Sequence, residues 1–509
     1  MSGGSNKMEF MLSWDRYIKE YRYKYHALYH AIRDAILSGT LQRGTQLPAT
    51  RMLAVQYGLS RGSVATAYDM LQADGYIHTE TGRGTYVAFD GIPGESPETW
   101  HTDIRLSAWG TRAAAQYQSL TAMSSHLLLP DEQPAHEQIE EIHFDRSLQP
   151  DADFPYTEWK SFLSRSNHQG KYESLYDPAG DIRLREAIAA HLGATRGIMV
   201  SSKEIVLFNG SMQAIALLTQ VILDEGEKAV VESPGFKGFA QAVQVCGGEV
   251  IPSPVDHHGI IPEDWDARLL FVTPSRQFPT GAVLNLERRL ALLAWARKRQ
   301  AIIIEDSYDS EFRFQGRPIE PLKVLDQEQR VVHIGSFSKT MPEGFRLGYA
   351  VLPSALVAPV VAAKAYYDPI SAGLYEQRAL AVWMSRGGYA KHIRKLTRRY
   401  GVKHRKFADW IQQYAGHMFT LFVGDAGLGF YGLWRGSNED YVSFKRACMR
   451  RGVYFTDGVR FQLISSRPSV FFKYAHLSEE EIKDGILRMT LAFEDIKHEQ
   501  GNGKCVQEK

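Results

Sequence analysis

Three short apolar runs, ARLLFVTP (267–274), AIIIEDSY (301–308) and VVHIGSFS (331–338), are spaced by amphipathic stretches such as LERRLALLAWARKRQ (286–300). Continuous β-branched runs of this length do not alternate polar with apolar residues, so they are buried on both faces. Each is followed by a helix, and residues 140–495 therefore predict a mainly parallel sheet covered by helices. Ligands of such sheets bind at the carboxyl ends of the strands. Asp306 and Tyr308 fall at one such end, and Ser336, Ser338 and Lys339 fall at another.

The chain is 509 residues long, which predicts two or three domains. With 44% hydrophobic and 23% charged residues it reads as globular and not disordered. Fifty-nine basic against fifty-eight acidic side chains leave no whole-chain attraction to nucleic acid or membrane, so any such binding must be local. Cys246, Cys448 and Cys505 are odd in number and lack metal-ligand spacing, which predicts a reducing cytoplasm, no structural zinc and no disulfide scaffold. No run approaches the ~18 apolar residues of a membrane helix.

The organisation reads as an amino-terminal extension (1–23), a compact helical and hairpin module (24–89), a linker (90–139), a large α/β part (140–496) and a polar tail (497–509). The linker is rich in proline, glycine and acid, with one short helix expected around Leu106–Leu120. In the small module, Leu28, Ile32, Ala35 and Ile36 share a helix face that ends at Gly39. A second helix is expected at about Thr50–Gln56. Ser60 is placed to cap a third, which turns Val64, Ala67, Tyr68 and Leu71 inward. Two short helices joined by a tight glycine turn make a helix-turn-helix. Tyr76-Ile77-His78 and Thr85-Tyr86-Val87 flank a TGRG tip and predict a hairpin wing, with Arg83 between two glycines poised for a minor groove.

Four motifs in the large part point to one cofactor chemistry. In GSFSKTMPEGFRLGY, Lys339 can form a Schiff base with an aldehyde, while Ser336, Ser338 and Arg346 can hold a phosphate. In IIIEDSYDSEF, Asp306 can pair with a protonated pyridine nitrogen and Tyr308 can donate to a phenolic oxygen. FNGSMQAIALL opens a helix at Ser211 whose free N–H groups favour a phosphate. VTPSRQFPTG places Pro279 after a buried strand, a position compatible with a cis peptide.

The small module resembles the GntR-type winged helix through LPATR, LSRGSV, GY and GRGTYV over about 65 residues, a likeness that implies Arg51, Ser60, Arg61, Ser63 and Arg83 as DNA contacts. Gly62 stands where that family often has a polar residue. The large part, from about Phe144 to Ile496, resembles fold-type I pyridoxal 5'-phosphate aminotransferases, which have an α/β large domain and a smaller carboxy-terminal α+β subdomain. The likeness implies Lys339 as the Schiff-base lysine, Asp306 at the pyridine nitrogen, Tyr308 at the phenolic oxygen and Arg346 at the phosphate. Ser211, Met212 and Gln213 match the phosphate loop, and Phe236 matches the aromatic over the ring.

The combination resembles the MocR/GabR family of transcriptional regulators, with departures at Arg276 (usually His), Ser307 (usually acidic) and Glu343-Gly344 (usually Pro-Gly). The resemblance implies a head-to-tail homodimer that binds double-stranded promoter repeats, senses pyridoxal phosphate or an amine through Lys339, and has no membrane role. Either Tyr172 or Tyr176 would reach the partner subunit's phosphate site. Arg467 is the candidate for an effector carboxylate. The alternative is an active aminotransferase carrying a regulatory DNA-binding domain.

Overall fold

The computed structural model describes residue 12 and residues 14–89, 105–125, 140–146, 154–168, 177–316, 319–342 and 344–507. The chain divides into two units, Met1–Arg105 and Leu106–Lys509. Tyr172, Tyr176 and Glu343 lie outside the described residues, as do 90–104 and 126–139 of the expected linker.

In the first unit the helices Lys24–Leu37, Thr50–Gln56 and Arg61–Ala73 enclose a core of Leu28, Ile32, Ile36, Leu53, Val64, Ala67 and Leu71. The strands Ile77–Glu80 and Gly84–Val87 pair antiparallel as the wing and close the core with Ile77 and Val87. A short strand, Gln46–Leu47, joins the other side of Gly84–Val87, an addition that two residues could not announce in sequence. Gly84 has φ +130°, a conformation that favours glycine, and the Gln46 amide packs against it, donating to the Arg83 carbonyl at 2.8 Å. Ser60 caps the third helix: its Oγ accepts from the Ser63 N–H at 3.0 Å.

The second unit is built on an eight-stranded sheet. Its order is Ile205–Phe208, Gly348–Val351, Val331–Ser336, Ile302–Ser307, Leu269–Val272, Lys228–Ser233, Glu249–Asp256 and Gly259–Ile260. Gly348–Val351 runs antiparallel to both of its neighbours; the strands from Val331–Ser336 through Glu249–Asp256 pair in parallel. The central strands are buried at every residue but Ile302, which is half-buried, and two polar residues inside them, Glu305 and His333, meet each other at 2.8 Å. A smaller subdomain follows, with a four-stranded antiparallel sheet (Phe419–Phe422, Gly429–Trp434, Ser469–Lys473, Thr456–Asp457) and the helices Asn438–Arg450 and Glu479–Gln507.

The helix expected around Leu106–Leu120 spans Ala108–Ser125 and is docked on the second unit. Arg112 holds it there: Nε donates to the Val245 carbonyl at 3.0 Å and Nη1 pairs with Glu225 at 2.9 Å.

Removing the Ser60 cap by Ser60→Ala should cost about 1 kcal/mol of winged-helix stability. Urea titration followed by circular dichroism checks this; an unchanged midpoint would contradict the capping role.

Candidate functional site

At the carboxyl ends of the central strands lies a cavity of about 420 Å³, a size that suits a small organic ligand. Lys339, Asp306, Tyr308, Ser211 and Phe236 all line it. They converge because parallel pairing sets Asp306 beside Ile334, so the two strands end side by side and Lys339 follows three residues beyond Ser336. The turn into Lys339 is fixed by Ser336, whose Oγ accepts from the Ser338 N–H at 3.1 Å. Beyond the lysine, the Thr340 carbonyl meets His392 Nε2 at 2.9 Å.

Asp306 is 7% exposed and its Oδ1 has no hydrogen-bond partner. Burial, reinforced by the charges of Asp309 and Glu311, raises its carboxyl to about 7. Such a carboxylate calls for a proton-bearing group on the cavity side. Burial also lowers the Lys339 amine below its ordinary value, which enlarges its neutral, nucleophilic fraction. Tyr308 is pushed well above the usual phenol range, again by burial.

Arg276 organises this wall. It is buried; Nη1 donates to Asp309 Oδ2 at 3.0 Å and contacts the Tyr308 hydroxyl, while Nε and Nη2 donate to the Ala426 and Gly429 carbonyls at 3.1 and 2.9 Å. One side chain thereby fixes the tyrosine and ties the smaller subdomain to the large sheet. In the sequence this residue registers only as a departure from a family pattern, because its partners lie up to 153 residues away.

At the other end of the site, Gly210 has φ +86° and opens the helix Ser211–Ile222. A Cβ on Gly210 would stand 2.8 Å from Arg346 Nη2, and one on Gly348 would stand 3.0 Å from the Ser211 nitrogen. The two glycines let an arginine and a helix N-terminus approach each other, an arrangement that attracts an anion. Arg346 itself lines the adjoining recess with Asn209 and Phe345. Gln213 turns inward, its Oε1 accepting from the Asn209 N–H at 2.7 Å. Met212 packs with Phe236 around Gly238, where a Cβ would meet the Phe236 ring at 2.4 Å and the Met212 sulfur at 2.7 Å. Ser336, Ser338, Met212 and Gln213 therefore shape the site without lining the cavity.

Phe236 and Phe278 form an aromatic wall with centroids 6.3 Å apart, and Phe278 meets Tyr308 and Phe461 edge-on at 5.1 Å each. The Phe278–Pro279 peptide is cis, as is Ser233–Pro234. The smaller subdomain contributes Arg460 and Lys473. Lys473 Nζ donates to the Asp145 carbonyl at 2.7 Å, and burial with the nearby Lys339 charge lowers its amine to about 8.

Arg467 does not reach the cavity: it is exposed on the loop before Ser469–Lys473, and its carbonyl accepts from Gln462 Nε2 at 3.2 Å. Arg460 stands in the cavity instead, on a short turn capped by Asp457 and held to the large part by a 2.8 Å bond from the Gly235 N–H to the Phe461 carbonyl. Nothing periodic in DGVRF marks it in the sequence.

In the winged helix, Arg51 and Arg61 are exposed on their helices, and Arg83 is exposed at the wing tip with Glu80 3.5 Å away. Ser60 and Ser63 bond each other at 2.8 Å, so their hydroxyls serve the cap. No helix among the described residues is long and apolar enough to cross a membrane.

Residues 24–87 match the bacterial regulatory proteins of the gntR family, and residues 148–488 match aminotransferase class I and II. The chain is 33% identical over 497 residues to the probable rhizopine catabolism regulatory protein MocR of Rhizobium meliloti, covering 95% of each. It is 31% identical over 388 residues to the pyridoxine biosynthesis regulator PdxR of Corynebacterium glutamicum, covering 74% of this chain and 75% of that one. Its fold superposes on the kynurenine aminotransferase of Pyrococcus horikoshii with a TM-score of 0.65 at 22% identity, over 79% of this chain and 97% of the enzyme. A gntR-type reader followed by a lysine, a buried aspartate and a tyrosine around one cavity of an aminotransferase fold, with likeness to MocR along nearly its whole length, places this chain in the MocR family of helix-turn-helix transcriptional regulators.

Proposed function

We propose that this regulator holds pyridoxal 5'-phosphate in the cavity around Lys339 and alters its grip on double-stranded promoter DNA when the cofactor or an amino compound occupies that cavity. One observation carries the reading: Asp306 is a buried carboxylate with an unpartnered oxygen, on the wall of the same cavity as the Lys339 amine. When bound, the cofactor supplies an aldehyde open to attack by amines and a ring that takes up electrons.

Asp306 would hold the proton on the ring nitrogen, and Tyr308, fixed by Arg276, would stand at the phenolic oxygen. Phe236 would cover the ring face. Ser211 at its helix N-terminus and Arg346 beside Gly210 would hold the phosphate. Lys339, whose amine burial lowers below its ordinary value, would hold the aldehyde carbon of the cofactor. Arg460 and Lys473, which line the same cavity, would attract the acid group of an amino compound. Arg51, Arg61 and Arg83 contact DNA, and a homodimer presents two winged helices to repeated half-sites. One relative is named for pyridoxine biosynthesis and another for rhizopine catabolism, which fits a common reader with a variable effector.

A working aminotransferase is the second reading, favoured by the full set of lysine, aspartate, tyrosine and aromatic residues in one cavity. Steady keto-acid release from amino donors would support it. A single exchange of amine, accompanied by a change in DNA affinity, supports the sensor.

Wild-type protein mixed with pyridoxal phosphate should gain a visible absorbance band that Lys339→Ala lacks; a colourless wild type would remove the cofactor assignment. Arg61→Ala or Arg83→Ala should weaken promoter binding by about 1–3 kcal/mol for a base contact, with the band intact. Gel shifts equal to wild type would contradict those contacts.

Asp306 adds a pH signature. Its carboxyl is held at about 7 against an ordinary 3.8, so its burial cost is complete above about pH 7 and fades as pH falls toward 4. Asp306→Asn should stabilise the cofactor-free chain at about pH 8.5, by on the order of 2–4 kcal/mol, and by much less at about pH 5. Urea midpoints at the two values check this; equal shifts at both would contradict the raised carboxyl.

A further inference from the structure

The helix Gly388–Trp410 carries eight Lys/Arg residues before its first acid, Asp409. Seven of these, Lys391, Arg394, Lys395, Arg398, Arg399, Arg405 and Lys406, are exposed; Lys403 is buried and donates to the Ala475 carbonyl at 2.8 Å. At about 100° per residue the seven fall within a sector of about 140°, and they run about 22 Å along the helix. Lys406 pairs with Glu479. Lys391, Arg394, Arg398 and Arg405 make no ion pair among the described residues. The groove beside the stripe is lined by Lys391, Lys395, Arg398 and Arg399, with Glu158 as its single acid among the described residues.

Such a stripe is costly to the helix that bears it. Lys391 and Lys395, Arg394 and Arg398, and Lys395 and Arg399 are like-charged pairs four residues apart, each destabilising by a few tenths of a kcal/mol. The exposed face offers Val402 as its one apolar side chain between Lys391 and Lys406, too little for membrane insertion or for the apolar centre of a protein interface. A row of same-sign charges along about 22 Å matches instead a polyanion with evenly spaced phosphates. The winged helix has need of such help: residues 1–90 hold ten basic against eight acidic side chains, a small source of phosphate contacts.

We propose that the exposed face of Gly388–Trp410 is a second, sequence-independent DNA surface, on the effector unit, which binds phosphates of duplex DNA. The proposal rests on the reading of the chain as a DNA-binding regulator. It adds that part of the affinity, and most of its salt dependence, comes from outside the winged helix. His392 on this helix also bonds the Thr340 carbonyl next to Lys339, so the DNA surface and the cofactor turn share one rigid element.

The test uses full-length protein, a long random-sequence duplex and fluorescence anisotropy over a range of NaCl concentrations. The variant K391Q/R394Q/R398Q/R405Q replaces residues that line no part of the Lys339 cavity, and retention of the pyridoxal phosphate absorbance band shows that it is folded. The slope of log K against log salt should fall in magnitude by about 0.9 for each phosphate that the variant no longer neutralises, hence by about 2–4 in all, and R398Q/R405Q should fall between. R61A/R83A, with the stripe intact, should keep most of the slope. Equal slopes for wild type and the four-residue variant overturn the proposal and leave the winged-helix reading in place. A wild type that binds no duplex overturns both. Loss of binding to phosphatidylserine vesicles with an unchanged DNA slope would assign the stripe to a membrane and also overturn it.

Discussion

Asp306 is the residue around which the second unit is arranged. A carboxylate with 7% exposure and an oxygen without a partner is an expensive object, and burial raises it to about 7. Strand pairing brings it beside the turn that carries Lys339, and Arg276 bonds the neighbouring Asp309 while Asp306 Oδ1 has no partner. The fold thus places one negative charge where a cationic ring nitrogen would relieve it, and one depressed lysine where an aldehyde would meet it.

Arg276 gives that arrangement a mechanical side. It bonds Tyr308 and Asp309 on the large sheet and the Ala426 and Gly429 carbonyls on the smaller subdomain. Any shift of the subdomain that disturbs these bonds reaches the tyrosine directly. Arg460 and Lys473 ride on the same subdomain, so a ligand that bridges Lys339 and these cations draws on both parts at once. On the far side, Phe236 precedes the helix Lys237–Cys246, whose last turn receives Arg112 from Ala108–Ser125. The cavity and the segment that follows the first unit are therefore joined through one helix.

Much of this is legible in the sequence because it is local. The winged-helix elements, the Ser60 cap and the strand ends bearing Asp306, Tyr308 and Lys339 depend on periodicity, capping and turn residues within a few positions of one another. Packing between distant segments is what a sequence cannot supply. Arg467 and Arg460 both sit near Ser469–Lys473 in the chain, and bonds to distant residues, from the Gly235 N–H to the Phe461 carbonyl and from the Leu463 and Ile464 N–H groups to Ser233 Oγ, fix the segment that places the second of them in the cavity. Gln213 and Met212 sit in the expected phosphate loop, yet a 2.7 Å bond to Asn209 and the aromatic contact at Gly238 direct them inward. The docking of Ala108–Ser125 through Arg112 depends on Glu225 and Val245, more than a hundred residues away.

The central claim is that occupancy at Lys339 is read out as DNA affinity. Promoter-DNA dissociation constants for wild type and Lys339→Ala, each with and without pyridoxal phosphate and a panel of amines, address it most directly. Wild type should show a ligand-dependent change that Lys339→Ala abolishes, with the variant still binding DNA. Equal responses in both proteins, or no response in wild type that carries the absorbance band, would contradict it.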